Sequence, residues 1–227
     1  MPVRLVIFDI AGTTVADDNA VARAFSKAFE IYGYKVEPPQ VEPLMGYPKP
    51  EAIRTMLDQL GVTVNDELVS DIHREFEIEM LDHYTYSPDV YPLPGAENLL
   101  LQLREMGIRI GLNTGFSHVI TKSIMDRLQW LEKGLVDDVV SSDEVKSGRP
   151  HPDMIRELMR RAGVEDPAEV IKIGDTEVDI REGRNAGCLL SIGVTTGAFT
   201  REGLEPYQPD FILDSLSELP AILRDRE

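Results

Sequence analysis

The sequence predicts an α/β protein: a Rossmann-like, doubly wound parallel sheet, interrupted early by an all-helical cap. Three observations lead there. Short apolar runs alternate with amphipathic helical patterns from about residue 90 onward. Two of these runs end in aspartates, Asp9 and Asp175, and the carboxyl edge of such a sheet is where ligands bind. Between the first run and the next, from Asp17 to Asp89, no convincing strand pattern occurs.

The elements follow in order. Val6-Ile7-Phe8 reads as a buried strand, and the chain leaves it through Asp9-Ile10-Ala11-Gly12-Thr13-Thr14, a tight turn opened by glycine. Val21, Phe25, Ala28, Phe29 and Tyr32 then recur at helical spacing, as do Ile53, Met56, Leu57 and Leu60. A third helix runs from Asp66 to about Tyr84 on Leu68, Val69, Ile72, Phe76 and Met80. Gly33, Pro38-Pro39, Gly61 and Ser87-Pro88 punctuate these segments. After Tyr91-Pro92-Leu93-Pro94-Gly95 the pattern predicts helix Ala96–Met106, strand Ile108–Asn113, helix His118–Leu128 and strand Val136–Ser141. Helix Asp153–Ala162, strand Val170–Ile173, helix Ile180–Ala186, strand Leu189–Val194 and a short strand near Phe211–Leu213 complete it. The expected division is a catalytic core over 1–16 and 90–227 and a helical cap over 17–89, set as a lid on the first turn.

Composition limits the function. The 227 residues, 42% hydrophobic, suffice for one core with a small appended domain. A formal net charge of −17 argues against nucleic acid or an anionic membrane surface as partner. Pro2-Val3-Arg4 leads straight into the first strand, no apolar run reaches membrane-spanning length, and the single Cys188 excludes an internal disulfide framework. The expected location is the cytoplasm.

The acidic strand ends suggest chemistry. Asp9 can attack phosphorus as a nucleophile, dividing phosphoryl transfer into two easier steps; its plainer role is a helix cap. Gly174-Asp175-Thr176-Glu177-Val178-Asp179 adds Asp175 and Asp179, and three carboxylates at strand ends suit a hard cation, most simply Mg²⁺ with a phosphate. Gly12 and Thr13 offer backbone N–H and hydroxyl groups to phosphate, and so do Thr114 and Gly115 in Asn113-Thr114-Gly115. Arg149, in Gly148-Arg149-Pro150, supplies the cation, with Lys146 as a rival whose plainer reading is a solvated loop lysine.

These motifs resemble the haloacid dehalogenase superfamily of aspartate-nucleophile hydrolases, and within it the phosphonoacetaldehyde hydrolase (phosphonatase) branch. The usual Asp-x-Asp-x-Thr loop here carries Ala11 at its third position, giving the Asp-x-Ala-Gly-Thr-Thr of that branch. Gly148-Arg149-Pro150 and the run from Ile173 to Gly187 match the branch as well. The resemblance implies Mg²⁺ held by Asp9, the Ala11 carbonyl, Asp175 and Asp179, the last directly or through water. It implies a small phosphonate or phosphorylated metabolite as substrate and a homodimer formed through the caps. Loss of the second aspartate removes the general acid of ordinary relatives, an effect of roughly 10²–10⁴ in rate. In the branch a cap lysine forms a Schiff base with the substrate aldehyde instead. Met45-Gly46-Tyr47-Pro48-Lys49 places Lys49 at the matching spacing, with Met45 and Gly46 beside the substrate.

Departures from the branch are equally legible. Its histidine three residues after the lysine is Ala52 here, its tyrosine after Thr-Gly is Phe116, and its early cap cysteine is absent. Most of its longer C-terminal portion is missing too. His73, His83 and His118 offer no obvious replacement, and His151 stands beside Arg149 as an exposed-loop residue. Two other functions fit the same residues: a phosphatase for a small phosphomonoester, and a catalytically weak relative kept for binding or regulation.

Overall fold

The computed structural model describes residues 2–224; Met1 and residues 225–227, the two ends of the expected core, lie outside the described residues. The strands are β1 (Leu5–Phe8), β2 (Arg109–Thr114), β3 (Asp138–Ser141), β4 (Val170–Gly174), β5 (Leu190–Val194) and β6 (Phe211–Leu213). They pair in parallel in the order β3-β2-β1-β4-β5-β6. This is the doubly wound order, and its crevice opens where the chain reverses direction, between β1 and β4. Phe8 is in register with Leu112 on one side and Ile173 on the other. Asp9, Thr114 and Asp175 therefore emerge together at one edge.

Helices α1 (Ala20–Ile31), α2 (Pro38–Val41), α3 (Lys49–Gln59) and α4 (Asp66–Tyr86) intervene between β1 and the second half of the sheet. Then come α5 (Ala96–Glu105), α6 (His118–Leu128), α7 (Asp153–Ala162), α8 (Glu177–Ala186), α9 (Arg201–Leu204) and α10 (Leu219–Arg224). The two chains joining α1–α4 to the sheet run side by side: Ala16 donates its amide to the Tyr91 carbonyl at 3.0 Å, and Leu93 to that of Thr14 at 2.9 Å. Apolar side chains of α1, α3 and α4 join one face of the sheet in a single core, while Leu5, Ile7, Ile155 and Leu158 form another on the opposite face. Among the described residues no helix is long and apolar enough to cross a membrane.

Three details differ from the sequence reading, each for a local reason. Pro38-Pro39 opens α2 instead of separating helices, because proline at the first helical position loses no hydrogen bond. Helix α8 begins at Glu177, not Ile180, since Thr176 and Asp179 form a reciprocal capping box that fixes the earlier start. Strand β3 begins at Asp138, as the Val136 amide is drawn to the Trp130 carbonyl in the preceding turn.

Candidate active site

The turn after β1 is tied tightly to Asp175. Thr14 and Val15 both donate their amides to the Ile10 carbonyl at 2.9 Å, which curls the backbone over Asp9. Gly12 sits at φ +84°, and a Cβ there would stand 2.6 Å from Asp175 Oδ2, so only glycine fits. Asp175 is held by the Thr13 hydroxyl at 3.2 Å and the Ala198 amide at 2.7 Å.

Behind these two carboxylates lies a buried ionic network. Arg149, fully buried, directs Nη1 to Asp9 at 2.7 Å and to Asp179 at 3.1 Å, while Nη2 donates to the backbone and side-chain oxygens of Asn113 at 2.6 Å each. Its Nε faces Glu182 at 3.2 Å. Lys172 meets Asp179 and Asn113 Oδ1, both at 2.8 Å, and Asn113 donates to both Glu182 oxygens. Every guanidinium nitrogen of Arg149 thus faces a protein acceptor. The arginine fixes the orientation of Asp9 in preference to reaching into open space. Burial works against its charge, yet Asp179, Asp9 and Glu182 together raise its pKa. Burial would also raise the Asp179 carboxyl, but Arg149 and Lys172 outweigh it and the pKa falls.

Asp9 and Asp175 are the groups left short of positive charge. Burial raises Asp9 above the usual carboxylate range, with Arg149 pulling down and Asp179 pushing up. Asp175 is raised well above it, by burial and then by repulsion from Asp9 and Asp179. Asp175 has no ion-pair partner among the described residues. Buried carboxylates in this condition call for a cation. No group of three His, Cys, Asp or Glu side chains stands ready for a metal among the described residues. The fit is therefore to a small hard ion that takes few protein oxygens and completes its shell with water and phosphate, as Mg²⁺ does. Asp9, Asp175 and the Ala11 carbonyl are the oxygens that could hold it. Asp179 is already engaged with Arg149, Lys172 and Thr176, a geometry that suits contact through water.

The helical segment brings Lys49 to the same place. Lys49 is only 4% exposed, and its Nζ lies 5.5 Å from the Phe116 ring centroid and 5.9 Å from that of Phe76. Its hydrogen bond, to the Tyr47 carbonyl, is long at 3.4 Å. Burial lowers its pKa to about 8, against the opposing pull of Asp9 and Asp17. The loop before it rests directly on the core: a Cβ on Gly115 would stand 2.5 Å from the Tyr47 carbonyl oxygen, and one on Gly148 2.5 Å from Pro48 Cγ. Tyr47 closes the contact with a 2.7 Å hydrogen bond to Glu177.

A closed cavity of about 20 Å³ remains between the two parts, bordered by Asp9, Ala11, Met45, Gly46, Lys49, Thr114, Gly115 and Asp175. Beside it, sharing Met45, a cleft of about 330 Å³ opens between Asp17, Asp18, Glu42 and the stretch Thr196-Gly197-Ala198. Of the residues picked out from sequence, Gly12, Thr13, Arg149 and Asp179 support the cavity from behind. Lys146 and His151 are exposed on their loop. Lys172, Asn113 and Glu182 went unnoticed in the sequence. A lysine inside the apolar strand Val170-Ile171-Lys172-Ile173 was the available signal, because it needs a buried partner. Glu182, one turn beyond Asp179 on α8, is that partner. His73, set aside earlier, is half-buried, lies 3.9 Å from Glu77, and has its pKa lowered first by burial, with Lys49 contributing.

A profile of the haloacid dehalogenase-like hydrolases matches residues 6–192. The chain belongs to that family. As a haloacid dehalogenase-like hydrolase it is an enzyme, and its relatives include phosphonoacetaldehyde hydrolases. That of Bordetella avium is 32% identical over 263 aligned positions, covering 100% of this chain and 92% of the relative. That of Bacillus cereus is 32% identical over 241 positions, covering 100% and 88%. The first match runs over nearly the whole relative, so most of the shorter length of this hydrolase lies in gaps inside the match. It does not reflect a missing C-terminal portion. Among solved structures, a phosphonoacetaldehyde hydrolase-like protein from Oleispira antarctica superposes with a TM-score of 0.88 at 24% identity, covering 99% of this chain and 92% of that one. A hydrolase from Pseudomonas syringae gives 0.87 at 18% identity, covering 98% of each. Both structures share the fold.

Proposed function

We propose that this hydrolase cleaves the carbon–phosphorus bond of a small phosphonate aldehyde such as phosphonoacetaldehyde, with Lys49 as the amine and Asp9 as the phosphoryl acceptor. The observation that carries the reading is the burial of Lys49, with a lowered pKa, in the cavity that Asp9 borders. A lysine near pH 8 keeps a useful fraction of neutral, nucleophilic amine. Ala11 leaves that cavity without the acid an ester-cleaving relative would use, whereas an imine needs no acid on the leaving group. The names of the relatives agree with this substrate class.

In this reading the Lys49 amine condenses with the aldehyde. Asp9 then attacks phosphorus, and the electrons of the carbon–phosphorus bond flow into the protonated imine to give an enamine. Arg149 holds the attacking carboxylate in line. Water next hydrolyses the aspartyl-phosphate, and protonation and hydrolysis of the enamine release acetaldehyde and free Lys49. Mg²⁺, bound by Asp9, Asp175 and the Ala11 carbonyl, would offset the charge of the phosphoryl oxygens. Thr114 and Gly115 border the space where those oxygens would sit. A 20 Å³ cavity holds about one water. Substrate therefore enters when the helical segment tilts about the paired chains at 14–16 and 91–93, joining the cavity to the neighbouring cleft.

The test is phosphate release from phosphonoacetaldehyde in the presence of Mg²⁺. Lys49→Arg and Asp9→Asn should each lower the rate by roughly 10²–10⁴-fold. Hydrolysis of simple phosphate esters through Asp9, with the phosphonate untouched and Lys49→Arg silent, would instead establish a phosphatase.

A further inference from the structure

Tyr84, near the end of α4, is fully buried and its hydroxyl has no hydrogen-bond partner in the protein. Phenylalanine would bury the same ring without stranding a polar atom, so the hydroxyl carries a cost that the fold alone does not recover. Its position gives that cost a use. The Tyr84 ring meets Phe116 edge-on with centroids 5.9 Å apart. The same Phe116 ring lies 5.5 Å from Lys49 Nζ and borders the cavity with Asp9. Burial keeps the phenol protonated well above its ordinary range, and Asp17 and Asp9 add to that. These two carboxylates stand at the mouth and floor of the site. The hydroxyl is thus a permanent donor, one aromatic ring away from the amine.

We propose that the Tyr84 hydroxyl is a substrate-binding donor, holding the carbonyl oxygen of the substrate while Lys49 attacks its carbon. The assignment rests on the imine reading above. As the nitrogen–carbon bond forms, the carbonyl π pair moves onto oxygen, and a proton passes from the new ammonium to that oxygen. The proton that Lys49 shed on becoming neutral returns through solvent water, and the oxygen leaves as water while the carbon–nitrogen double bond forms. Tyr84 keeps its own proton throughout. It stabilises the oxygen where negative charge develops, as an oxyanion donor does. Its demand is for a carbonyl on the organic end of the substrate.

Tyr84→Phe tests this in the Mg²⁺-loaded enzyme. The expected result is a fall in kcat/KM for phosphonoacetaldehyde of roughly 100-fold, with the inhibition constant of inorganic phosphate little moved. The melting temperature should be equal to or above that of the parent, since the variant relieves a stranded hydroxyl. An unchanged kcat/KM overturns the proposal, and borohydride trapping of wild-type enzyme with phosphonoacetaldehyde then shows whether the imine reading still stands. A variant that melts lower or fails to fold makes the hydroxyl structural and overturns it too. Absence of trapping in the wild type removes the imine reading, and this proposal with it.

Discussion

Lys49 is the residue on which the chemistry turns, and it costs the fold stability. Its pKa falls from 10.5 unfolded to about 8 folded. The unfolded chain therefore binds more protons between those values, and stability rises with pH across that window. At neutral pH the penalty is present in full. At about 1.4 kcal/mol per unit it amounts to about 3 kcal/mol, less whatever Phe76 and Phe116 return through their ring faces. Asp9, Asp17 and Asp175 oppose the shift, whereas Arg149 adds to burial, and His73 is the neighbour on α4. Lys49→Met should therefore melt higher than the parent at pH 7, with the gap closing as pH rises from 8 toward 10.5, while phosphonate cleavage is lost. Chemical denaturation at two pH values checks it. Arg149→Met has the opposite sign. It leaves Asp9, Asp179 and Glu182 buried with one cation fewer and should cost about 3–5 kcal/mol.

At the scale of elements, closure depends on one loop. Gly46 sits at φ +80°, and a Cβ there would stand 2.4 Å from Thr176 Oγ1. Gly46→Ala combines backbone strain with that clash, so it should hold the helical segment away from the core. The expected outcome is a lower kcat and faster amide exchange over residues 45–52, without global unfolding. Tyr47→Phe, which removes the hydrogen bond to Glu177, should act in the same direction more weakly, by about 1 kcal/mol. These elements show how far sequence could reach. The strand-helix alternation and the helices between β1 and β2 were legible because burial imposes period 2 or 3.6 on apolar residues. The Met45-Gly46 pair marked the loop, but its docking on Gly115 and Gly148 is a long-range contact with no local pattern. Tyr84 was hidden for the same reason: its ring continues the apolar stripe of α4, and nothing in the stripe reveals that its hydroxyl lacks a partner.

Across the whole molecule, the excess of acidic groups is concentrated where it is used. Asp9, Asp175, Asp179 and Glu182 are buried around Arg149 and Lys172, so the folded state is short of positive charge at the site. A divalent ion that binds only the folded enzyme should stabilise it by mass action, by about 2.7 kcal/mol at a hundredfold excess over Kd. Mg²⁺ should thus raise the melting temperature, and Asp175→Asn should abolish that rise whatever the substrate. The central claim is that Lys49 forms an imine with the substrate, and mass spectrometry tests it most directly. The Mg²⁺-loaded enzyme would be mixed with phosphonoacetaldehyde, reduced with borohydride, digested and mapped. The account predicts an ethyl group on Lys49 when reduction follows carbon–phosphorus cleavage, or a phosphonoethyl group when it precedes it. Phosphate release with Lys49 unmodified, or with the adduct on another lysine, would contradict it.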